Sequence, residues 1–307
     1  MPISEETVTF FNRTVTEYDP EEPVSLSDDI VYRLSRDYDG EQSMLEMLEE
    51  FLGKIDPSTL DALIIGMWSD DCSDSSQPIV EALVKHAGEL QNLRALFIGD
   101  MTYEECEISW IVQSDLTPLL NAFPQLEEFK VRGANELVIT PFTHAKLQKF
   151  TIESGGLPSS VAQAVAASTM PALTHLELWL GADEYGFSGD VALYQDLVAK
   201  LRTPTLAYLG LRDAEIADEL AVWLAGDELV GCLTTLDLSL GTLGDIGAEA
   251  LFNSPYVAKL QTLKLEHHYI SEEWQEKLKT LPITVDLSDP QEIEDDDEDE
   301  RYVAVGE

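Results

Sequence analysis

The chain has 307 residues, 44% apolar and 25% charged, which is long enough for two ordinary domains or one elongated one and typical of a folded protein. Its 59 acids against 18 bases leave a formal charge of −41, and nine of the acids fall between Asp289 and Glu300. Such a field repels nucleic-acid phosphates and anionic membranes and favours basic partners; adaptation to a salty cytoplasm produces the same imbalance.

The opening residues, "MPISEETVTFFNRTV", lack a basic region followed by a long apolar run, so no secretory signal is expected. No stretch approaches the ~20 apolar residues of a membrane span, and the expected compartment is the cytoplasm. Residues 1–29 show only short alternating segments. "IVYRLSRDYDG" (30–40) reads as a strand and turn. "SMLEMLEEFLGKI" (43–55) reads as a helix with Met44, Leu45, Leu48, Phe51 and Leu52 on its buried side. Residues 1–59 together are expected to cap a repeat array that begins at Leu60.

From Leu60 a pattern L-x-x-L-x-L recurs: "LDALII" (60), "LRALFI" (93), "LEEFKV" (126), "LQKFTI" (147), "LTHLEL" (173), "LAYLGL" (206), "LTTLDL" (233) and "LQTLKL" (260). A degenerate copy, "PITVDL", starts at Pro282. Between the copies, residues 77–90, 159–168, 191–201, 218–226, 247–254 and 272–280 carry apolar residues at helical spacing. Each unit is therefore a short strand followed by a helix. One unit cannot bury its own apolar face, but a stack can. Strands stack about 4.8 Å apart and helices need roughly 8–10 Å, so the stack is expected to bend into an α/β solenoid. Its parallel sheet would line the concave face and its helices the convex one.

These repeats resemble leucine-rich-repeat proteins of the ribonuclease-inhibitor-like type, most closely in "LDLSLGTLGDIGAEALFNSP" (236–255). "GDMTYEECEISW", "LEHHYIS" and "RYVAVGE" further resemble an uncharacterised bacterial cytoplasmic family of leucine-rich-repeat proteins. The resemblance implies a horseshoe over residues 60–288 with about nine repeats, and a cytoplasmic location, but no activity. One departure stands out. The position three residues after the last strand leucine, usually Asn or Cys, is Trp68, Met101, Ala134, Gly155, Gly181, Ala214, Gly241 or His268. The turn backbone must be satisfied in some other way.

With the leucines in the core, the intervening residues project from the concave face. They include Lys130, Arg132, Lys149, Arg212 and Lys264 among bases, and Glu177, Asp237 and Glu266 among acids, with the aromatics Trp179 and Tyr208. Five bases and six acids make this face nearly neutral on a very acidic protein, and Lys130, Arg132 and Lys149 form a local positive patch. A mixed-charge face with aromatics suits an unknown protein or peptide partner. The alternative is that these charges only pair across strands. On either reading the module is non-catalytic, with no cofactor, no nucleic acid and no membrane.

Other chemistry has thinner support. No nucleophile-elbow, zincin, phosphate-loop or dinucleotide motif is present. The pairs His175/Glu177 and Glu266/His268 lie about three repeats apart, too far to share one ion. The alternative function is a divalent-cation-binding accessory subunit or enzyme that uses Asp70, Asp71, Asp74, Asp100, Glu104 and Glu107 on two neighbouring rim loops, because hard cations need clustered oxygens. Thr102 and Glu105 have capping-box spacing, so a helix is expected there, with Ile108, Ile111 and Val112 on its buried face and Trp110 anchoring the turn. Thr117-Pro118 would start a second one. Cys72, Cys106 and Cys232 fit neither a disulfide framework nor a zinc site, and are expected as free thiols. Residues 289–300 are expected to be a disordered acidic tether. "RYVAVGE" (301–307) would then add a strand to an exposed sheet edge, in cis or in trans.

Overall fold

The computed structural model describes residues 7–36, 40, 42–293 and 301–306. It divides into two compact units, one comprising residues 1–153 and 167–173, the other 154–166 and 174–306. Much of the acidic stretch (294–300) and the expected turn at 37–39 lie outside the described residues.

The first unit contains β1 (Thr9–Phe10), β2 (Arg13–Glu17), β3 (Ile30–Leu34), α1 (Met44–Gly53), β4 (Ala62–Ile65), α2 (Gln77–Lys85), β5 (Ala95–Ile98), α3 (Thr117–Ala122), β6 (Glu128–Arg132) and β7 (Lys149–Glu153). The second contains α4 (Ser159–Ala166), β8 (His175–Gly181), α5 (Val191–Leu201), β9 (Tyr208–Ala214), α6 (Ala217–Gly226), β10 (Thr235–Asp237), α7 (Asp245–Phe252), β11 (Thr262–Lys264), α8 (Glu272–Leu278) and β12 (Thr284–Asp286). Within each unit the strands stack in chain order. Among the described strands only β1 and β2 pair antiparallel; β2–β3, the repeat strands of the first unit and those of the second pair in parallel. This is the expected α/β leucine-rich-repeat solenoid architecture.

The repeat explains the core. Equivalent residues meet in register, Leu63 with Leu96, Phe129 with Phe150, and Leu176 with Leu209. All six are fully buried. Helices close this side of the sheet, α2 beside α3, α4 beside α5 and α6 beside α7. Their starts are set locally: Ser43 and Glu46 form a reciprocal capping box on α1, Pro78 sits in the first turn of α2, and Asp190 accepts the Leu193 N–H at the start of α5. On α1 the buried side includes Met47, whereas Leu45 is exposed. Among the described residues no helix is long and apolar enough to cross a membrane.

Two expectations fail in the loops. Cys72 and Cys106 are not free thiols; they form a disulfide, and only Cys232 is free. Their 34-residue separation is about one repeat, so the stack itself sets them side by side. The capping box at Thr102 and Glu105 does form, with Thr102 N–H to Glu105 Oε2 at 2.8 Å and Glu105 N–H to Thr102 Oγ1 at 3.3 Å, but no α-helix follows. Glu105 and Cys106 are already tied to Arg33 and Cys72, and the chain passes through a single 3-10 turn at Ile108–Trp110. Trp110 anchors nothing there, being 62% exposed, while Ile108 and Ile111 are buried. The second expected helix is α3.

The missing Asn ladder has a different replacement. The residue two positions after the last strand leucine takes positive φ in successive repeats: Asp213 (53°), Leu240 (74°), His267 (57°) and Asp289 (57°). In the first unit Gly133 (89°) holds the same place after Val131. A left-handed residue reverses the chain from strand to loop without any side-chain amide.

Candidate functional site

The face of each sheet opposite the helices carries the residues between the leucines, and the two units dress it differently. In the first unit the opening repeats present Ala62, Ile64, Ala95 and Phe97. These form one buried apolar cluster with Val31 and Phe10, and Phe11 and Val15 pack against it. Phe10 comes from the β1–β2 hairpin, and its ring centroid lies 5.9 Å from that of Phe97. The hairpin turn is Phe11-Asn12 with both φ positive (51° and 57°), the backbone that two-residue hairpins require. Arg13 and Arg94 lie 5.4 and 5.1 Å from the Phe11 ring, and Arg13 pairs with Asp61 at 2.6 Å.

The next repeats of this unit hold the three bases expected as a positive patch, and all three are paired. Lys130 Nζ meets Glu153 Oε1 at 2.7 Å, Arg132 Nε meets Glu153 Oε2 at 2.8 Å, and Lys149 Nζ meets Glu128 Oε2 at 3.1 Å. Arg132 also reaches Asp100 Oδ1 at 3.3 Å. Arg33 completes the network, with Asp100 at 3.2 Å, Glu105 at 2.7 Å and Glu17 at 3.1 Å. Burial opposes the Arg33 charge, but Glu17, Glu105 and Asp100 outweigh it and raise its pKa. Burial likewise pushes Glu105 up, yet its hydrogen bond and attraction to Arg33 prevail and hold it below the ordinary carboxylate value.

In the second unit the same face is polar and aromatic. The His175 and Tyr208 rings stack at 3.9 Å with 8° between planes. Beneath them Glu177 accepts from Trp179 Nε1 at 2.8 Å and Arg212 Nη1 at 2.9 Å, and lies 3.1 Å from His175 Nε2. Arg212 lies 4.9 Å from the Trp179 ring and 3.5 Å from Asp237. Tyr208 donates its hydroxyl to Asp237 at 2.7 Å, and Lys264 approaches the same carboxylate at 3.7 Å. Burial raises the Glu177 pKa, but the His175 hydrogen bond and the Arg212 charge more than reverse this and hold it far below the usual range. Burial, then the charges of Glu177 and Asp237, raise Tyr208. Glu177, Trp179 and Asp237 are buried, Tyr208 and Lys264 are half-buried, and Glu266 is exposed. The arrangement is an ion-paired base with a partly solvated rim. It can offer stacking, donors and acceptors to a ligand.

The six rim acids are not brought together. Asp70 pairs with Arg36 at 2.9 Å, Asp71 is bound by Ser69 and Ser73, and the Asp74 carbonyl accepts from Trp68. Asp100 is buried between two arginines, while Glu104 and Glu107 are exposed. Among the described residues no group of three or more His, Cys, Asp or Glu side chains is arranged to hold a metal. The hairpin lid and the disulfide went unread in the sequence. A spacing of one repeat between Cys72 and Cys106 was the available signal for the latter, and Asn12 at a turn for the former.

No protein-family model matches the sequence. No curated protein matches it. An internalin from Listeria monocytogenes, known from its crystal structure, aligns with a TM-score of 0.35 at 17% identity, over 84% of this chain and 67% of that one. A protein from Bacteroides fragilis, also known from its crystal structure, matches with a TM-score of 0.79 at 32% identity, over 85% of this chain and 75% of that one. With a third of the residues identical across three quarters of the Bacteroides fragilis protein, the chain belongs to that protein's family.

Proposed function

We propose that the chain is a non-catalytic interaction module of the ribonuclease-inhibitor-like type that binds a protein or peptide through the helix-free sheet face of the second unit. The observation that carries this reading is the His175–Tyr208 stack set over the Glu177–Arg212–Asp237 network. A preorganised, aromatic-bearing surface that sets two bases against four acids, on a protein of charge −41, suits selective recognition, since Glu177 and Asp237 are already held in place by Trp179, Arg212 and Tyr208. The partner would engage Tyr208, Lys264 and Glu266 directly, with Trp179, Glu177, Arg212 and Asp237 holding the platform. Lys130, Arg132 and Lys149 contribute less, because Glu153, Asp100 and Glu128 already neutralise them. The Cys72–Cys106 disulfide weighs against the expected cytoplasmic location, where thiols are kept reduced.

The test is affinity capture with three proteins: wild type, a Tyr208→Ala/Lys264→Glu double variant of the face, and a Lys279→Glu control on the helix side. A partner retained by wild type and control but lost by the face variant supports the reading. Equal recovery by all three removes this face as the binding surface.

A further inference from the structure

The row of left-handed turns in the second unit is occupied, and by the chain itself. Residues 301–306 do not add to a sheet edge. They run across the strand-to-loop turns, one repeat after another. Val305 N–H donates to Asp213 Oδ1 at 3.0 Å, Ala304 N–H donates to the Leu240 carbonyl at 2.8 Å, and the Tyr302 carbonyl lies 3.4 Å from His267 Nε2. Asp213, Leu240 and His267 are the equivalent positive-φ residues of three successive repeats. The geometry explains the match. An extended chain advances about 3.3 Å per residue and strands stack about 4.8 Å apart, so three residues cross two repeats.

Two side chains fix the register. Val305 is 4% exposed. Arg301 Nη1 meets Asp218 Oδ2 at 3.0 Å and the Thr242 carbonyl at 3.0 Å. The seat is built for this. Gly244 starts α7 without a capping side chain, and a Cβ there would collide with the Arg301 guanidinium. Asp218 Oδ1 caps α7 in its place, accepting from Gly244 N–H at 2.9 Å and Gly247 N–H at 2.8 Å. Asp213 is a fully buried acid in a left-handed conformation; burial raises its pKa well above the ordinary value against the opposing hydrogen bond from the Val305 backbone, and its Oδ2 has no hydrogen-bond partner among the described residues. A buried, strained acid costs stability unless something uses it. Tyr302 is 59% exposed.

We propose that this row of turns is a peptide-binding site, separate from the sheet face, for extended segments of the form Arg-x-x-x-Val, and that Arg301–Gly306 is its resident, displaceable occupant. One ion pair, a few main-chain hydrogen bonds and one buried valine make a modest contact. Tethering to the same chain raises the local concentration of the resident segment to roughly millimolar, and a free peptide must compete with that.

The test uses full-length protein and a fluorescein-labelled, acetylated hexapeptide of sequence Arg-Tyr-Val-Ala-Val-Gly, read by fluorescence anisotropy. Val305→Asp empties the seat and is expected to bind the peptide saturably, at least tenfold more tightly than wild type does. Adding Asp213→Ala to that variant, or replacing the peptide's arginine by alanine, is expected to abolish the gain. Absence of saturable binding to a Val305→Asp protein that circular dichroism shows to be folded overturns the proposal, as does equal binding to wild type. Should Val305→Asp not fold, hydrogen exchange on wild type decides. Amides of Ala304 and Val305 exchanging much faster than those of Leu209 and Leu236 support a displaceable segment; equal protection overturns it.

Discussion

The opening repeats of the first unit and the repeats of the second present the same face in opposite states. In the first, alternate strand positions are Ala62, Ile64, Ala95 and Phe97, and the chain's own hairpin covers them. In the second the matching positions are His175, Glu177, Tyr208, Arg212 and Lys264, and their rim is partly solvated. The leucine framework is common to both, so the difference lies wholly in the residues between the leucines. An apolar strip on that face behaves as core and recruits a lid, whereas a polar strip satisfied by its own ion pairs can stay uncovered.

The sharpest way to break this comparison is to remove a ring from the covered face. Phe97→Ala is expected to cost about 3–5 kcal/mol by urea unfolding, as for any buried aromatic, whereas an open-face role would leave stability nearly unchanged. Next comes Glu177. Its folded-state pKa is depressed, so the unfolded chain binds more protons in the acid range. The stability it contributes is therefore complete above the unfolded value of about 4.3 and is lost as pH falls toward the lower folded value. Glu177→Gln is expected to cost on the order of 3 kcal/mol at neutral pH, because the buried Arg212 loses its closer carboxylate and keeps only Asp237 at 3.5 Å, and to flatten the decline in melting temperature below about pH 4.5. A parallel pH profile for the two proteins would show that the network is not holding the second face together.

Reducing the Cys72–Cys106 disulfide, or replacing both cysteines by serine, is expected to cost about 2 kcal/mol, seen as a lower melting temperature with dithiothreitol. The loss should appear in the first unit, as faster hydrogen exchange near Glu105. Last, Lys264→Ala should change stability by less than about 0.5 kcal/mol, since its side chain is 44% exposed and its ammonium lies 3.7 Å from Asp237. A larger loss would mean that the rim of the second face is structural.

The framework was legible because it is periodic. Leu63, Leu96, Leu176 and Leu209 repeat a local pattern, and pattern alone places each on a strand facing the core. What escaped is what periodicity does not encode. Phe10 meets Phe97 across 87 positions of sequence, and nothing near "FFNR" announces that contact. At Thr102 and Glu105 the local signal was correct and the capping box formed, yet the helix did not, because Arg33 and Cys72 claim Glu105 and Cys106. On the open faces, side-chain alternation places these residues between the leucines, but pairing depends on a strand neighbour's register and on loop residues such as Asp100. That is why the apparent patch of Lys130, Arg132 and Lys149 turned out to be neutralised.

Asp218 divides its two oxygens between the amides that open α7 and the guanidinium of Arg301. The two glycine amides therefore sense the tail through a single carboxylate group. Gly244 and Gly247 should resonate in an uncrowded part of an amide nuclear magnetic resonance spectrum, and departure of Arg301 would shift both at once. The molecule thus carries its own label-free reporter of whether residues 301–306 are seated, readable without a fluorophore or a partner.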